Sequence, residues 1–222
     1  MTTHPLLKNK YLYLLLSLVS YFVIMALLTD HKVEGEIHTI TFPLVILFSV
    51  YSISHHKIVL GIALSLAIAT FVENWFFDFS STPTNAWAVA NYVTSLLFLC
   101  TITYSVIDNL LSHKEVTIDT LLGAICGYLM IGFIWTFFYM IIAVMNPNSF
   151  SNTLESGNAQ QRLQHFSYYS FSSLTALGYG DILAISSLAR TLSWLEAVVG
   201  QSYLAIWIAQ LVGLRVVHKH IH

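Results

Sequence analysis

An all-α integral membrane fold follows from three observations on the sequence. The 222-residue chain is 56% hydrophobic and 9% charged, with a mean hydropathy of +0.71, whereas soluble domains carry about a quarter charged residues. Its ionisable residues are segregated: residues 11–29, 39–54, 58–72, 79–107 and 120–154 contain no Asp, Glu, Lys, Arg or His. Apolar stretches of about 20 residues are long enough, as helices, to cross the hydrocarbon core. Near the C-terminus, Gly178-Tyr179-Gly180-Asp181 interrupts the apolar pattern with backbone that no regular helix needs.

Taken in order, the first run, 11–29, follows Lys8 and Lys10. Its length, and the lack of a small-x-small cleavage site before Asp30, predict a retained helix rather than a cleaved leader. Further membrane helices are predicted over 38–54, 58–77, 86–111, 118–145 and 187–217, six in all, with a re-entrant half-helix over 163–175. The second stretch is short enough to be tilted or interfacial. With both termini in the cytoplasm, Lys8, Lys10, Lys57, Lys114, Arg215 and Lys219 lie inside and Lys32, Arg162 and Arg190 outside. The positive-inside rule favours that orientation. The Asn/Ser-rich connection 146–162 then faces out, ahead of the half-helix.

Cys100 and Cys126 fall inside apolar runs and behave as small hydrophobes, with no disulfide framework or metal-ligand spacing. The acids and histidines are scattered without nucleophile or ligand spacing, so no enzyme is expected; nor is a nucleic-acid partner, at a net charge of −2. Trp75, Trp87 and Trp135 read as packing and interface anchors. Gly123-x-x-x-Gly127 predicts close helix approach. Glu73 with Asn74 fits either a cation contact or a cap, and His55-His56-Lys57 either a solvated loop or a pH sensor.

The run Tyr168-Tyr169-Ser170-Phe171-Ser172-Ser173-Leu174 predicts a short helix whose C-terminus carries partial negative charge. It leads directly into Thr175-Ala176-Leu177-Gly178-Tyr179-Gly180-Asp181. The glycines permit backbone closed to other residues, so successive carbonyls can point to one side and replace an ion's water shell. The run's hydroxyls can hydrogen-bond behind that segment. Irregular backbone does not survive against lipid, so protein must enclose it, and one such loop per chain implies several chains around an axis.

Set between two membrane helices, these residues resemble the potassium-channel pore domain. The resemblance implies a selectivity filter over residues 175–181, with K+ held by the carbonyls of Ala176, Leu177, Gly178 and Tyr179, in a bilayer-embedded homotetramer without organic cofactor or catalytic chemistry. The family normally places threonine where this chain has Ala176; Thr175, one residue earlier, is expected to face the half-helix. Gly200 lies 19 residues after Asp181, where related channels often carry a flexible glycine. It fits a gating hinge, or a small residue that permits close packing. Glu196 costs several kcal/mol in a membrane helix unless paired or hydrated, so it is expected either to hydrogen-bond Tyr169, Ser170 or Ser173 as a filter brace or to face water near the outer end. Asp181 braces the outer filter or makes the mouth negative.

Residues 116–222 form the expected pore domain. Residues 1–115 resemble, by architecture alone, a four-helix voltage-sensor domain without its gating arginines, since from Ala86 to Leu111 the only charged residue is Asp108. Voltage sensing moves several charges, each worth about 2.3 kcal/mol per 100 mV. The expectation is therefore a voltage-independent potassium channel of the cell (inner) membrane, answering to ions, pH, or a regulatory lipid or protein. The alternatives are a weakly selective cation channel and a non-conducting scaffold or regulatory subunit that keeps the channel fold.

Overall fold

Where the apolar runs lie, helices form: α1 (Lys10–Leu28), α2 (Lys57–Phe79), α3 (Asn85–Ser112), α4 (Ile118–Met145), the short α5 (Ala159–Leu174) and α6 (Ser187–His220). The computed structural model describes residues 10–28, 57–79, 85–112, 117–151 and 159–220. The stretch 38–54, His55 and His56 lie outside the described residues, as do the side chains of Asn74, Trp75 and Arg215. Among the described residues the fold is all-helical, and three helices are long and apolar enough to span a bilayer: α3, α4 and Ser187–Gln210 of α6. The apolar parts of α1 and α2, Lys10–Ile24 and Ile58–Glu73, are shorter.

The centre of the arrangement is α4. Its start is fixed by a capping box in which Thr120 N donates to Thr117 Oγ (3.2 Å) and Thr117 N to Thr120 Oγ (2.8 Å); Pro147, two residues past Met145, lacks the N–H a further turn would need. Asp119 adds a carboxylate at the positive end of the helix and also accepts from Tyr11 N of α1 (3.1 Å). Two helix starts are thus tied to one side chain. Further along, Tyr11 seats in the notch at Gly123, and Phe22 stacks on Phe133 at 4.8 Å. These contacts advance together along both helices, so α1 runs parallel to α4.

The neighbouring α3 runs the other way, placing Leu110 at Gly123 and Tyr92 against Phe137. Thr94 of α3 donates to Glu73 near the end of α2 (3.2 Å), and the five residues between Phe79 and Asn85 reach at most about 18 Å, so α2 is antiparallel to α3. It follows that α1 ends and α2 begins at opposite faces of the bundle.

Beyond α4 the chain turns through Pro147–Ser149 and enters α5, which starts four residues before the predicted 163 because Gln160, Gln161 and Arg162 continue the helix toward its outer end. Phe150 then closes over Tyr139, Phe166 and Tyr169 with ring centroids 5.2–5.6 Å apart.

Candidate ion-conducting site

Depth is set by what the end of α5 touches. Leu174 O accepts from Tyr128 OH (3.2 Å), and Tyr128 lies ten residues into α4, about 15 Å from its start and about 26 Å from its end. The half-helix therefore stops part-way along α4, inside the span. From there the chain climbs back to Ala184, which bridges Phe150 just past the end of α4. Ser151 N donates to Leu183 O (2.8 Å), Leu183 N to Ser151 Oγ (2.7 Å) and Ile185 N to Ser149 O (2.8 Å). The residues after Leu174 up to Ala184 form no helix, and they make this return as an extended segment.

On that climb every early amide turns the same way. Ala176 N donates to Ser173 O (2.9 Å), Leu177 N and Gly178 N to Ser172 O (2.9 and 3.2 Å), and Tyr179 N to Ser172 Oγ (3.4 Å). Positive φ recurs at alternate residues, Ala176 (56°), Gly178 (57°) and Gly180 (81°). In a regular strand successive carbonyls point to opposite sides; reversing the hand at every second residue swings them to one side. The carbonyls of residues 175–180 accept no hydrogen bond from any described residue, and residues 175–181 are all exposed. Thr175 Oγ turns back to Phe171 O (2.7 Å), as its position one residue before Ala176 predicts.

Behind the segment, Tyr168 stacks on Tyr179 at 5.9 Å and 5°. Its hydroxyl hydrogen-bonds Asp181, which holds the phenol above the usual tyrosine range. Asp181 Oδ1 also accepts from its neighbour Ile182 N (3.1 Å). On α5, which does not span, burial lowers the pKa of His165, the nearby Asp181 acting in the opposite direction, and its Nε2 has no partner among the described residues.

Two residues of α6 hold α5 in place. At Gly200 an added Cβ would lie 2.1 Å from Leu174 O, so its small size lets the half-helix carbonyl reach the α6 backbone. Glu196 is wholly buried, which removes the water-facing alternative. Of its three predicted partners it takes Ser170, at 2.5 Å, while Tyr169 bonds Ser193 (2.6 Å). Its other oxygen accepts from Tyr139 OH of α4 (2.5 Å), a partner the sequence reading missed. Gly132 was missed too: Phe171 fills the space where its side chain would be, and Ser170 Oγ lies 2.7 Å from its carbonyl. The signal was Gly132, Thr136 and Tyr139 at i, i+4 and i+7, one face of α4. Lower down, Tyr203 of α6 enters the Gly127 notch and donates to Ala124 O (2.8 Å), bearing out the close approach read from the glycine pair. Among the described residues no three His, Cys, Asp or Glu side chains converge on a metal position.

Neither the curated proteins nor the solved structures contain a match to this chain. Residues 115–214 match a family model described as ion channel, a stretch that opens just before α4, takes in α5 and the extended segment, and ends within α6. In that part the chain is similar to the ion-channel family.

Proposed function

We propose that the chain is the subunit of a potassium-selective channel, a homotetramer in the cell (inner) membrane that conducts K+ passively through the carbonyls of Ala176, Leu177, Gly178 and Tyr179. One observation carries the reading: the amides of residues 176–179 are all committed to Ser172 and Ser173, which turns the carbonyls of the same peptide units, those of residues 175–178, to the opposite, exposed side; that of Tyr179 likewise accepts from no described residue. A dehydrated cation can be held by such oxygens, and the negative end of α5 adds to the attraction. The match to the ion-channel family supports passive conduction by a protein that is not an enzyme.

The tetramer is supported by what a single chain leaves uncovered. Only 17% of the α6 span is buried, against 50% in α3 and 44% in α4, and Leu177 and Tyr179 are exposed beside it. Neighbouring subunits would cover both. Six spans account for α1 ending and α2 beginning at opposite faces, with both termini cytoplasmic. On this reading residues 116–222 are the pore domain, and residues 1–115 pack around it without sensing voltage, since α3 offers only Asp108 as a charge.

Ala176 favours a second reading, a weakly selective cation channel. No hydroxyl stands at position 176, and that of Thr175 is bound to α5, so the innermost position has carbonyls alone. Flux from liposomes separates the readings: K+ release that Rb+ shares and Na+ does not, abolished by Gly178→Asp, is expected. Equal Na+ release would move the assignment to the second reading, and no release from reconstituted tetramers would indicate a non-conducting scaffold.

A further inference from the structure

The junction of α4, α5 and α6 holds more oxygen-to-oxygen contacts than an ionised carboxylate can supply with protons. Glu196 Oε2 lies 2.5 Å from Tyr139 OH, Glu196 Oε1 2.5 Å from Ser170 Oγ, and Ser170 Oγ 2.7 Å from Gly132 O. Each separation is within the range of an O–H···O hydrogen bond, so each needs a proton between its oxygens. Tyr139 and Ser170 have one each, and Gly132 O has none. Three contacts therefore share two protons unless the carboxyl brings the third. A single serine proton split between Oε1 and Gly132 O would hold neither oxygen so near. Gly132 O also accepts from Thr136 Oγ (2.9 Å), so its need for a donor is met without Ser170 and does not decide the matter; the short distance to Ser170 does.

Charge leads to the same place. Glu196, Ser170 and Tyr139 are each fully buried. Among the described residues, the titratable groups that face the carboxyl are all tyrosines: Tyr139 and Tyr128 from α4 and Tyr169 from α5. Arg190, the cation six residues earlier in α6, donates instead to Ala184 O (3.1 Å). No described cation is ion-paired with Glu196, and an unpaired carboxylate in apolar surroundings is costly enough that such groups neutralise.

We infer that Glu196 is a proton-carrying positioning residue, donating from Oε1 to Ser170 Oγ while Ser170 donates to Gly132 O and Tyr139 donates to Oε2. Three neutral hydrogen bonds then fix α5 against both flanking helices, four residues above the point where the extended segment begins. The inference stands on distances and burial and does not depend on which ion, if any, the protein conducts.

The test is infrared difference spectroscopy of the full-length protein in lipid at neutral pH. A protonated-carboxyl stretch is expected in the wild type, missing from Glu196→Gln and displaced in Ser170→Ala, which removes the acceptor of the carboxyl proton. Because glutamine also donates from one atom and accepts at the other, Glu196→Gln should still fold and assemble, so that the missing band is read on intact protein. Absence of the band from the wild type would overturn the inference, as would a band that Ser170→Ala leaves unmoved. Should Glu196→Gln yield no folded protein, the wild-type band and its displacement in Ser170→Ala still decide.

Discussion

Replacing Gly200 by alanine distinguishes a flexible joint from a packing contact. The new Cβ would stand 2.1 Å from Leu174 O and 3.0 Å from Leu174 C, where ordinary contact begins at 3.4 Å. Either α6 or α5 must therefore retreat by about 1.3 Å. Both are held nearby, by Tyr128 OH on Leu174 O and by Ser170 on Glu196, so the retreat strains those bonds. Overpacking of this kind costs about 1–3 kcal/mol, while alanine returns about 1 kcal/mol of helix propensity. A net loss of up to about 2 kcal/mol per chain follows, multiplied across the proposed tetramer. Gly61 of α2 has nothing within 4 Å, so Gly61→Ala gains the propensity without the clash. The assay is thermal unfolding of the purified oligomer for both variants, beside K+ flux. Gly200→Ala should melt below wild type and Gly61→Ala at or above it. Equal melting of Gly200→Ala and wild type, with only the open probability changed, would refute the packing argument and restore the hinge.

Ala176 holds φ at 56°, a strain of about 1–2 kcal/mol for a residue with a Cβ. Ala176→Gly should preserve oligomer stability and flux, whereas β-branched Ala176→Val should lower both, read by melting and by ion release. For His165, burial favours the neutral ring, so its folded pKa lies below the reference 6.5. Its contribution is fully present above 6.5 and is lost as pH falls through the lower folded value. Oligomer stability should therefore drop on acidification from pH 7 in the wild type, and His165→Gln should remove that part of the drop; an unchanged profile would count against it.

The helices were legible because charge-free runs and bilayer thickness speak to each other directly: α4 occupies 118–145 as read, and α1, α2 and α3 begin and end within two residues of expectation. The outer end of α5 was not, since Gln160, Gln161 and Arg162 carry no apolar signal where a helix rises toward water. The extended segment was legible from Gly178 and Gly180, which local chemistry alone makes unusual. That Ala176 shares their left-handed backbone was not, because alanine carries no mark of it. Glu196 announced that it needed partners, and Ser170 was among those named. Tyr139, 57 residues away, becomes a partner only once α4 and α6 cross beside α5, and a tyrosine in an apolar run looks like any other anchor.

The central claim is that the carbonyls of residues 176–179 select K+ without a threonine at position 176. The measurement that tests it most directly is the reversal potential of the purified protein in planar bilayers under opposed K+ and Na+ gradients, with Gly178→Asp as the control for the pore. The account predicts a reversal near the potassium equilibrium potential and loss of current in the variant. A reversal near zero, or a current that survives Gly178→Asp, would contradict it.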